Sequence, residues 1–221
     1  MQETVHIQTP DNVLLAGAYV RAAVDSRAVL MLHMMPADRT SWAGVQTELE
    51  KLGIASLAID LRGHGESVKQ GGKTLDYHTF NDVSHQESRV DVTTAINWLR
   101  NRGFTRVGIL GASIGANLAI DAAAGDPSIP AIALLSPGEN YRGIETYGAA
   151  SALASDQALL TSGSEGDDNE SFEAAKKIVE LASSKDKTFL PFASAGHGTS
   201  LFVQEPALPA ALADWFSKRL P

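Results

Sequence analysis

Short runs of apolar residues recur along this chain of 221 residues, and segments with helical spacing separate most of them. Three of the runs read AVLMLH, IASLAID and RVGILG, at positions 28–33, 54–60 and 106–111. They are continuous rather than alternating with polar residues, which is typical of strands buried on both faces. Such strands form a parallel sheet that helices cover on both sides. The pattern therefore predicts an α/β fold.

The full set of predicted elements describes a mostly parallel sheet of eight strands. The strands are predicted at 4–8, 13–20, 28–33, 54–60, 106–111, 131–136, 158–162 and 187–193. The helices are predicted at 41–53, 86–101, 114–124, 171–182 and 207–219. The first two strands flank the turn sequence TPDN and form an antiparallel pair. Residues 62–85 are expected to be a loop and 137–157 have room for one short helix, so we expect one domain over residues 1–221 without a cap domain.

Charge and composition exclude several kinds of partner. The formal net charge is −8 and the 18 lysines and arginines form no dense cluster, which argues against a nucleic-acid partner. No apolar run is long enough to span a membrane, and the start of the chain lacks the pattern of a secretion signal. We therefore expect no membrane association and a cytoplasmic location. The chain has no cysteine, which excludes disulfides, thiolate metal sites and a cysteine nucleophile.

The sequence GASIG, residues 111–115, places one serine between two glycines where a predicted strand passes into a predicted helix. This is the G-x-S-x-G pattern of a nucleophile elbow, a sharp turn that exposes the serine hydroxyl at the top of the sheet. Gly111 and Gly115 would remove the side chains that collide in such a turn. We therefore predict that Ser113 is a catalytic nucleophile.

A serine nucleophile needs a general base, usually a histidine that a carboxylate orients. His197 lies in ASAGHGTSLF, directly after the last predicted strand, and follows Ser113 in the order expected for an elbow enzyme. The orienting acid is expected just past the seventh predicted strand, where the candidates are Glu165, Asp167 and Asp168. We prefer Asp167 and keep Asp168 as the alternate acid, because sequence spacing does not separate them.

The oxyanion formed in such a reaction needs two backbone N–H donors. One is expected from Ile114, which begins the helix after the serine, where free N–H groups face a developing negative charge. The other is expected in the loop HMMPADRTSW that follows the third strand, and the amide of Met35 is our choice. The histidines show no spacing typical of a metal site, and this chemistry needs neither a metal nor a cofactor.

The chain resembles the α/β-hydrolase fold superfamily over nearly its whole length. VLMLHMMPADRTSW is similar to the family's oxyanion strand and loop, SLAIDLRGHGES to its D-x-R-G-H-G-x-S segment, and GASIG and GHG to the sequences around its nucleophile and base. The resemblance implies that Ser113, Asp167 and His197 are the nucleophile, the orienting acid and the base. The chain departs from the family at His33-Met34, where many members have His-Gly.

This resemblance implies a small serine hydrolase without a lid, most simply a carboxylesterase that cleaves small to medium acyl esters through an acyl-enzyme intermediate. A thioesterase or an amidase would use the same residues, and a protein that kept the fold but lost turnover would be a binding protein. The expected partner is a small-molecule ester, no cofactor is implied, and the oligomeric state stays open.

Overall fold

The computed structural model describes residues 2–21 and 26–220. Its strands are β1 (Gln2–Gln8), β2 (Val13–Val20), β3 (Arg27–Leu32), β4 (Ala55–Ile59), β5 (Lys69–Gln70), β6 (Lys73–Thr74), β7 (Arg106–Ala112), β8 (Ala131–Leu135), β9 (Asn140–Tyr141), β10 (Ile144–Glu145), β11 (Ala158–Ser164) and β12 (Lys187–Phe192). Its α-helices are α1 (Ala43–Lys51), α2 (Asp82–Gln86), α3 (Ser88–Arg100), α4 (Ile114–Gly125), α5 (Tyr147–Ala152), α6 (Asn169–Leu181), α7 (Leu201–Gln204) and α8 (Leu208–Arg219).

Ten strands of the described residues form one central sheet. Its order is β12-β11-β8-β7-β3-β4-β2-β5-β6, and β1 pairs with β2. The neighbours from β12 to β4 pair in parallel, whereas β1 and β4 pair with β2 antiparallel. The prediction of a mostly parallel α/β sheet is confirmed, and each of the eight predicted strands is present. The two additional strands, β5 and β6, have two residues each and lie in the segment predicted as a loop.

Helices cover both faces of this sheet, which explains the continuous apolar runs. On β3, Leu30 and Leu32 pack into the core under α3, α4 and α6, and Val29 and Met31 pack into the core under α1 and α8. All four side chains are fully buried, and each contributes about 1.5–3 kcal/mol of hydrophobic stabilisation. A polar residue on either face would therefore cost stability. For this reason the sequence of β3 does not alternate between apolar and polar residues.

The parallel arrangement puts the carboxyl ends of six strands at one edge of the sheet. In α/β sheets this edge is where ligands bind.

Residues 136–157, between β8 and β11, hold only the two-stranded hairpin β9–β10 and α5, so the described part of the chain contains no cap domain. No helix within residues 2–21 and 26–220 combines the length and the apolar character needed to cross a bilayer.

Candidate active site

Ser113 joins β7 to α4 in a backbone conformation that residues with a side chain rarely adopt. Its φ is 54° and its ψ is −122°. Such a conformation costs on the order of 1–3 kcal/mol and persists only where the surrounding structure fixes it. The Ser113 amide donates to the Leu135 carbonyl at 2.9 Å, and the Ser113 carbonyl accepts from the amides of Ala116 and Asn117. The structure thus contains the sharp strand-to-helix turn that the sequence predicts.

The two glycines of this turn are sterically required. A Cβ at Gly111 would lie 2.1 Å from the carbonyl oxygen of Gly115, and a Cβ at Gly115 would lie 2.3 Å from the carbonyl oxygen of Leu32. Both neighbours are backbone atoms that cannot move aside without breaking the sheet. Glycine is therefore needed on each side of Ser113 so that α4 can return close to β3 and β7.

His197 lies in the loop after β12, and its imidazole pairs with Asp168. The Nδ1 atom of His197 is 2.7 Å from Oδ2 of Asp168. The carboxylate side chain is 14% exposed and the imidazole 36%, so the acid is shielded while the ring keeps an open edge. A carboxylate on Nδ1 holds the ring proton there and leaves Nε2 free to accept a proton. The pair therefore has the geometry of a general base and its orienting acid.

Asp168, the alternate acid, contacts the His197 imidazole, and Asp167, the residue preferred from the sequence, does not. The preference for Asp167 is therefore corrected. The Asp167 carboxylate accepts from the hydroxyls of Ser164 and Ser194 and, at 2.9 Å, from the amide of Gly196. The Ser164 hydroxyl, followed by the other donors, lowers the pKa of Asp167. Asp167 therefore anchors the loop that carries the histidine, and the next residue along the chain reaches the ring.

Contacts of Gly198 hold the histidine loop against the nucleophile turn. Its amide donates to Oγ of Ser136, at the end of β8, at 2.9 Å. A Cβ at Gly198 would lie 3.5 Å from Cβ of Ala112, and the residue has a φ of +58°. Gly198 adjoins His197 and Ala112 adjoins Ser113, so the predicted base and nucleophile lie at the same edge of the sheet.

The backbone amides of Ile114 and Met35, the predicted oxyanion donors, make no hydrogen bond to any other described residue. Ile114 is the first residue of α4, where an N–H group has no acceptor within the helix. Met35 lies in the loop after β3, and this loop packs beside α4 because of the close approach at Gly115. Both amides therefore remain available to a ligand at this edge.

His33 fixes the peptide group that carries the Met35 amide. The Leu61 amide donates to Nε2 of His33 at 3.0 Å, so the ring proton is on Nδ1, which donates to the Met34 carbonyl at 2.9 Å. The Ala37 amide donates to the same carbonyl, also at 2.9 Å. In a trans peptide the C=O and N–H groups point in opposite directions, so the Met35 N–H points away from these contacts.

The segment DLRGHGES, residues 60–67, forms a second loop at this edge, and Asp60 holds it in place. The buried Asp60 carboxylate accepts from the amides of Arg39 and Glu66, at 2.7 and 2.8 Å, and pairs with the Arg39 guanidinium. A Cβ at Gly65 would lie 2.2 Å from this carboxylate. Asp60 thereby ties the loop after β4 to the loop after β3.

Two buried histidines, His33 and His64, stabilise these loops in their neutral form. His33 is fully buried, and His64 stacks on Tyr77 with Nδ1 at 3.0 Å from the carbonyl of Arg62. Burial lowers the pKa of both imidazoles to about 4. Through these hydrogen bonds both histidines hold loops at this edge.

We expect the free energy of unfolding to fall as the pH drops from 6.5 toward 5. In the unfolded chain a histidine takes up a proton near pH 6.5, whereas His33 and His64 resist protonation in the folded protein until about pH 4. Between these values the unfolded state binds more protons, so each histidine removes about 1.4 kcal/mol of stability per pH unit. Urea unfolding at several pH values measures this slope.

The variant His64→Gln should reduce that slope by about 1.4 kcal/mol per pH unit, because one buried imidazole that resists protonation is gone. His6→Gln, at an exposed position of β1, is the matched control and should retain the wild-type slope. An unchanged slope in the His64→Gln protein would show that His64 does not contribute to the pH dependence of the free energy of unfolding.

Tyr141, on β9, is a residue of this site that sequence analysis missed. Its ring lies edge-on to His197 with centroids 6.4 Å apart, and its hydroxyl is 2.8 Å from Oγ of Ser171. Burial raises the pKa of the Tyr141 phenol, while the hydrogen bond to Ser171 and a weaker interaction with Ser113 act in the opposite direction. The phenol is thus a further polar group beside the predicted nucleophile.

Asn117 of α4 positions the hairpin that carries Tyr141. Its buried side chain donates to the Ile144 carbonyl at 2.7 Å and accepts from the Gly138 amide at 3.0 Å. A Cβ at Gly138 would lie 2.6 Å from the Tyr141 ring, so glycine is needed for the ring to pack there. Asn117 is, with Asp121, one of two polar residues in an otherwise apolar helix, and it was the available sequence signal for this contact.

A cleft of about 320 Å³ opens beside the predicted oxyanion loop. It lies between that loop, the segment leading into α2, and the turn of the β9–β10 hairpin. Its lining residues are Met35, Pro36, Tyr77, His78, Phe80, His85 and Arg142. The walls are largely apolar or aromatic, the polar groups are imidazoles and one guanidinium, and none of the lining side chains is a carboxylate. The cleft is a candidate pocket for part of a substrate.

Comparison with known proteins gives this geometry a family context. Residues 25–162, more than half of the chain, match the family described as serine aminopeptidase, S33. The matched region includes the predicted oxyanion loop and the nucleophile turn, and it ends before Asp168 and His197. No match was found among curated protein sequences.

Several solved structures are similar to the fold. The Pyrococcus furiosus esterase Pf2001 has a TM-score of 0.82 at 19% sequence identity, covering 100% of this chain and 93% of that one. The esterase domain of a Rhodothermus marinus protein has a TM-score of 0.76 at 15% identity, covering 100% of both chains. The esterase EaEST from Exiguobacterium antarcticum has a TM-score of 0.75 at 13% identity, covering 98% of this chain and 100% of that one. These likenesses show the α/β-hydrolase fold.

Proposed function

The chain belongs to the serine aminopeptidase S33 family of α/β hydrolases, and from that premise we propose that it is a serine-dependent carboxylesterase acting on small-molecule esters. The observation that carries the proposal is the pairing of His197 with Asp168 at the edge where the strained turn presents Ser113. A paired base beside an elbow serine is the arrangement that nucleophilic acyl transfer requires.

In the proposed reaction Ser113 Oγ attacks the ester carbonyl carbon while Nε2 of His197 takes the hydroxyl proton. The amides of Ile114 and Met35 donate to the oxygen that becomes negatively charged. Asp168 stabilises the protonated imidazole, which then gives its proton to the departing alcohol. Water attacks the acyl-enzyme with His197 again as base, releasing the acid and restoring the serine.

The family's description makes peptide-bond cleavage at an amino terminus the second candidate. An aminopeptidase must hold the substrate's ammonium group, which calls for a carboxylate near the reacting carbonyl. The cleft beside Met35 is lined by imidazoles and a guanidinium and by no carboxylate, which favours an ester without a free amine. A thioesterase would need the same catalytic residues and differs only in the leaving group.

A substrate panel combined with active-site labelling tests the proposal. We expect hydrolysis of p-nitrophenyl acetate, butyrate and octanoate, little cleavage of alanine p-nitroanilide, and fluorophosphonate labelling that mass spectrometry locates on Ser113. Labelling of Ser113 with faster cleavage of the anilide than of the esters would favour the aminopeptidase. Folded protein that is neither labelled nor active would instead be a binding protein with this fold.

A further inference from the structure

We propose that the cleft beside Met35 binds a negatively charged group of the ester substrate, such as a carboxylate, and that Arg142 is the residue that recognises it. The inference rests on the proposed function and specifies its substrate class. Arg142 lines the cleft at the turn of the β9–β10 hairpin, and the ring of its chain neighbour Tyr141 lies edge-on to His197, the proposed base. Met35, whose amide is a proposed oxyanion donor, lines the same cleft. A group bound there would belong to a substrate whose carbonyl lies at the serine.

The Arg142 guanidinium is available to a ligand. Its side chain is 51% exposed, and it donates no hydrogen bond to another residue in the described part of the chain. Its nearest acid, Asp82, is 3.7 Å away and 62% exposed, a distance at which an ion pair between exposed side chains contributes little. A substrate carboxylate could make the short, two-pronged contact that Asp82 does not make.

The backbone at Arg142 supports a role for its side chain. Its φ of +56° lies in the left-handed region, where glycine or asparagine would be accommodated more easily. Two hydrogen bonds fix the conformation: Gln86 of α2 donates to the Arg142 carbonyl at 3.2 Å, and Asn140 within the hairpin accepts from the Gly143 amide at 2.7 Å. An arginine held in this conformation has its side chain directed by a rigid turn rather than by a flexible loop.

The other lining residues suit an anion attached to an apolar chain. Met35, Phe80 and Tyr77 offer apolar surface against which the chain between the ester carbonyl and the charged group can pack. Burial, followed by the nearby positive charge of Arg142, lowers the pKa of His85, which favours the neutral imidazole beside the arginine. Asp82, whose carboxylate is 3.7 Å from the Arg142 guanidinium, weakens the field that an anion would meet.

The test compares two p-nitrophenyl esters with acyl chains of similar length, the monoester of adipic acid and the heptanoate. We expect Arg142→Gln to lower kcat/KM for the adipate about 10-fold or more, because a charge-assisted contact is lost, and to leave the heptanoate unchanged. Arg142→Lys should retain part of the adipate activity. Arg89→Gln, on α3 and paired with Asp121, is the matched control and should change neither substrate. Asp82→Asn should raise kcat/KM for the adipate alone.

Each other outcome overturns the inference in a recognisable way. If Arg142→Gln lowered kcat/KM equally for both esters, or did not lower it for the adipate, Arg142 would not recognise the substrate's charge. Hydrolysis of the heptanoate by the wild-type protein would still support the proposed function. Wild-type protein that hydrolyses neither ester would refute the esterase proposal and this inference together.

Discussion

Replacing Ser113 with alanine is expected to lower kcat for p-nitrophenyl ester hydrolysis by about 10⁴-fold or more. The variant lacks the only atom that can form the acyl-enzyme in the proposed mechanism, while the amides of Ile114 and Met35 remain in place to stabilise an oxyanion. A residual rate above that of the uncatalysed reaction is therefore expected. Steady-state kinetics at saturating ester measures the loss of turnover. Fluorophosphonate labelling measures the loss of the nucleophile independently.

The substitution should leave the fold intact. Alanine has the same Cβ as serine, so the strained φ of 54° at residue 113 costs the variant no more than the wild type. Ser162→Ala is the matched control, because this buried serine of β11 has a hydroxyl without a hydrogen-bond partner among the described residues. The control should keep wild-type turnover. A Ser113→Ala protein with near-wild-type kcat and a normal unfolding transition would remove Ser113 from the mechanism.

The sequence was sufficient to predict those elements whose formation depends on their own residues. The apolar runs of β3 and β4 are continuous because both faces are buried, and the predicted strands differ from the observed ones by only one or two residues at each end. The elbow was predictable because the contacts that require its glycines are local. A Cβ at Gly111 would collide with the backbone of Gly115, and a Cβ at Gly115 would collide with the backbone of Leu32 on the adjacent strand.

Elements that depend on distant partners escaped prediction. β5 has two residues and exists because Gln70 and Lys69 pair with Val13 and Leu14 of β2, more than fifty positions away along the chain. The position of Tyr141 likewise depends on Asn117, which belongs to a different element. No local periodicity marks such contacts, so the short strands within the loop at 62–85 and the hairpin within 137–157, where one short helix was expected, were not predicted.

Asp168→Asn is expected to lower kcat by about 10³- to 10⁴-fold, whereas Asp167→Asn should cost less than about 10-fold. Oδ2 of Asp168 accepts the Nδ1 proton of His197 at 2.7 Å. An asparagine amide at 168 can present its NH₂ group to the ring instead, which favours the tautomer protonated on Nε2 and blocks proton removal from Ser113. Which of the two adjacent aspartates contacts His197 depends on the conformation of the turn after β11, and sequence spacing alone does not predict that conformation.

Asp167→Asn acts on the histidine loop rather than on the imidazole. An asparagine oxygen can still accept from the Gly196 amide, but the charge that strengthens the contacts to Ser164 and Ser194 is lost. We therefore expect a lower thermal unfolding midpoint with nearly normal kcat, the opposite of the pattern for Asp168→Asn. Steady-state kinetics and thermal unfolding of both variants separate these effects. If Asp167→Asn abolished turnover in a fully folded protein while Asp168→Asn did not, the acid would have to be reassigned, because the contact between Asp168 and His197 would then have no catalytic consequence.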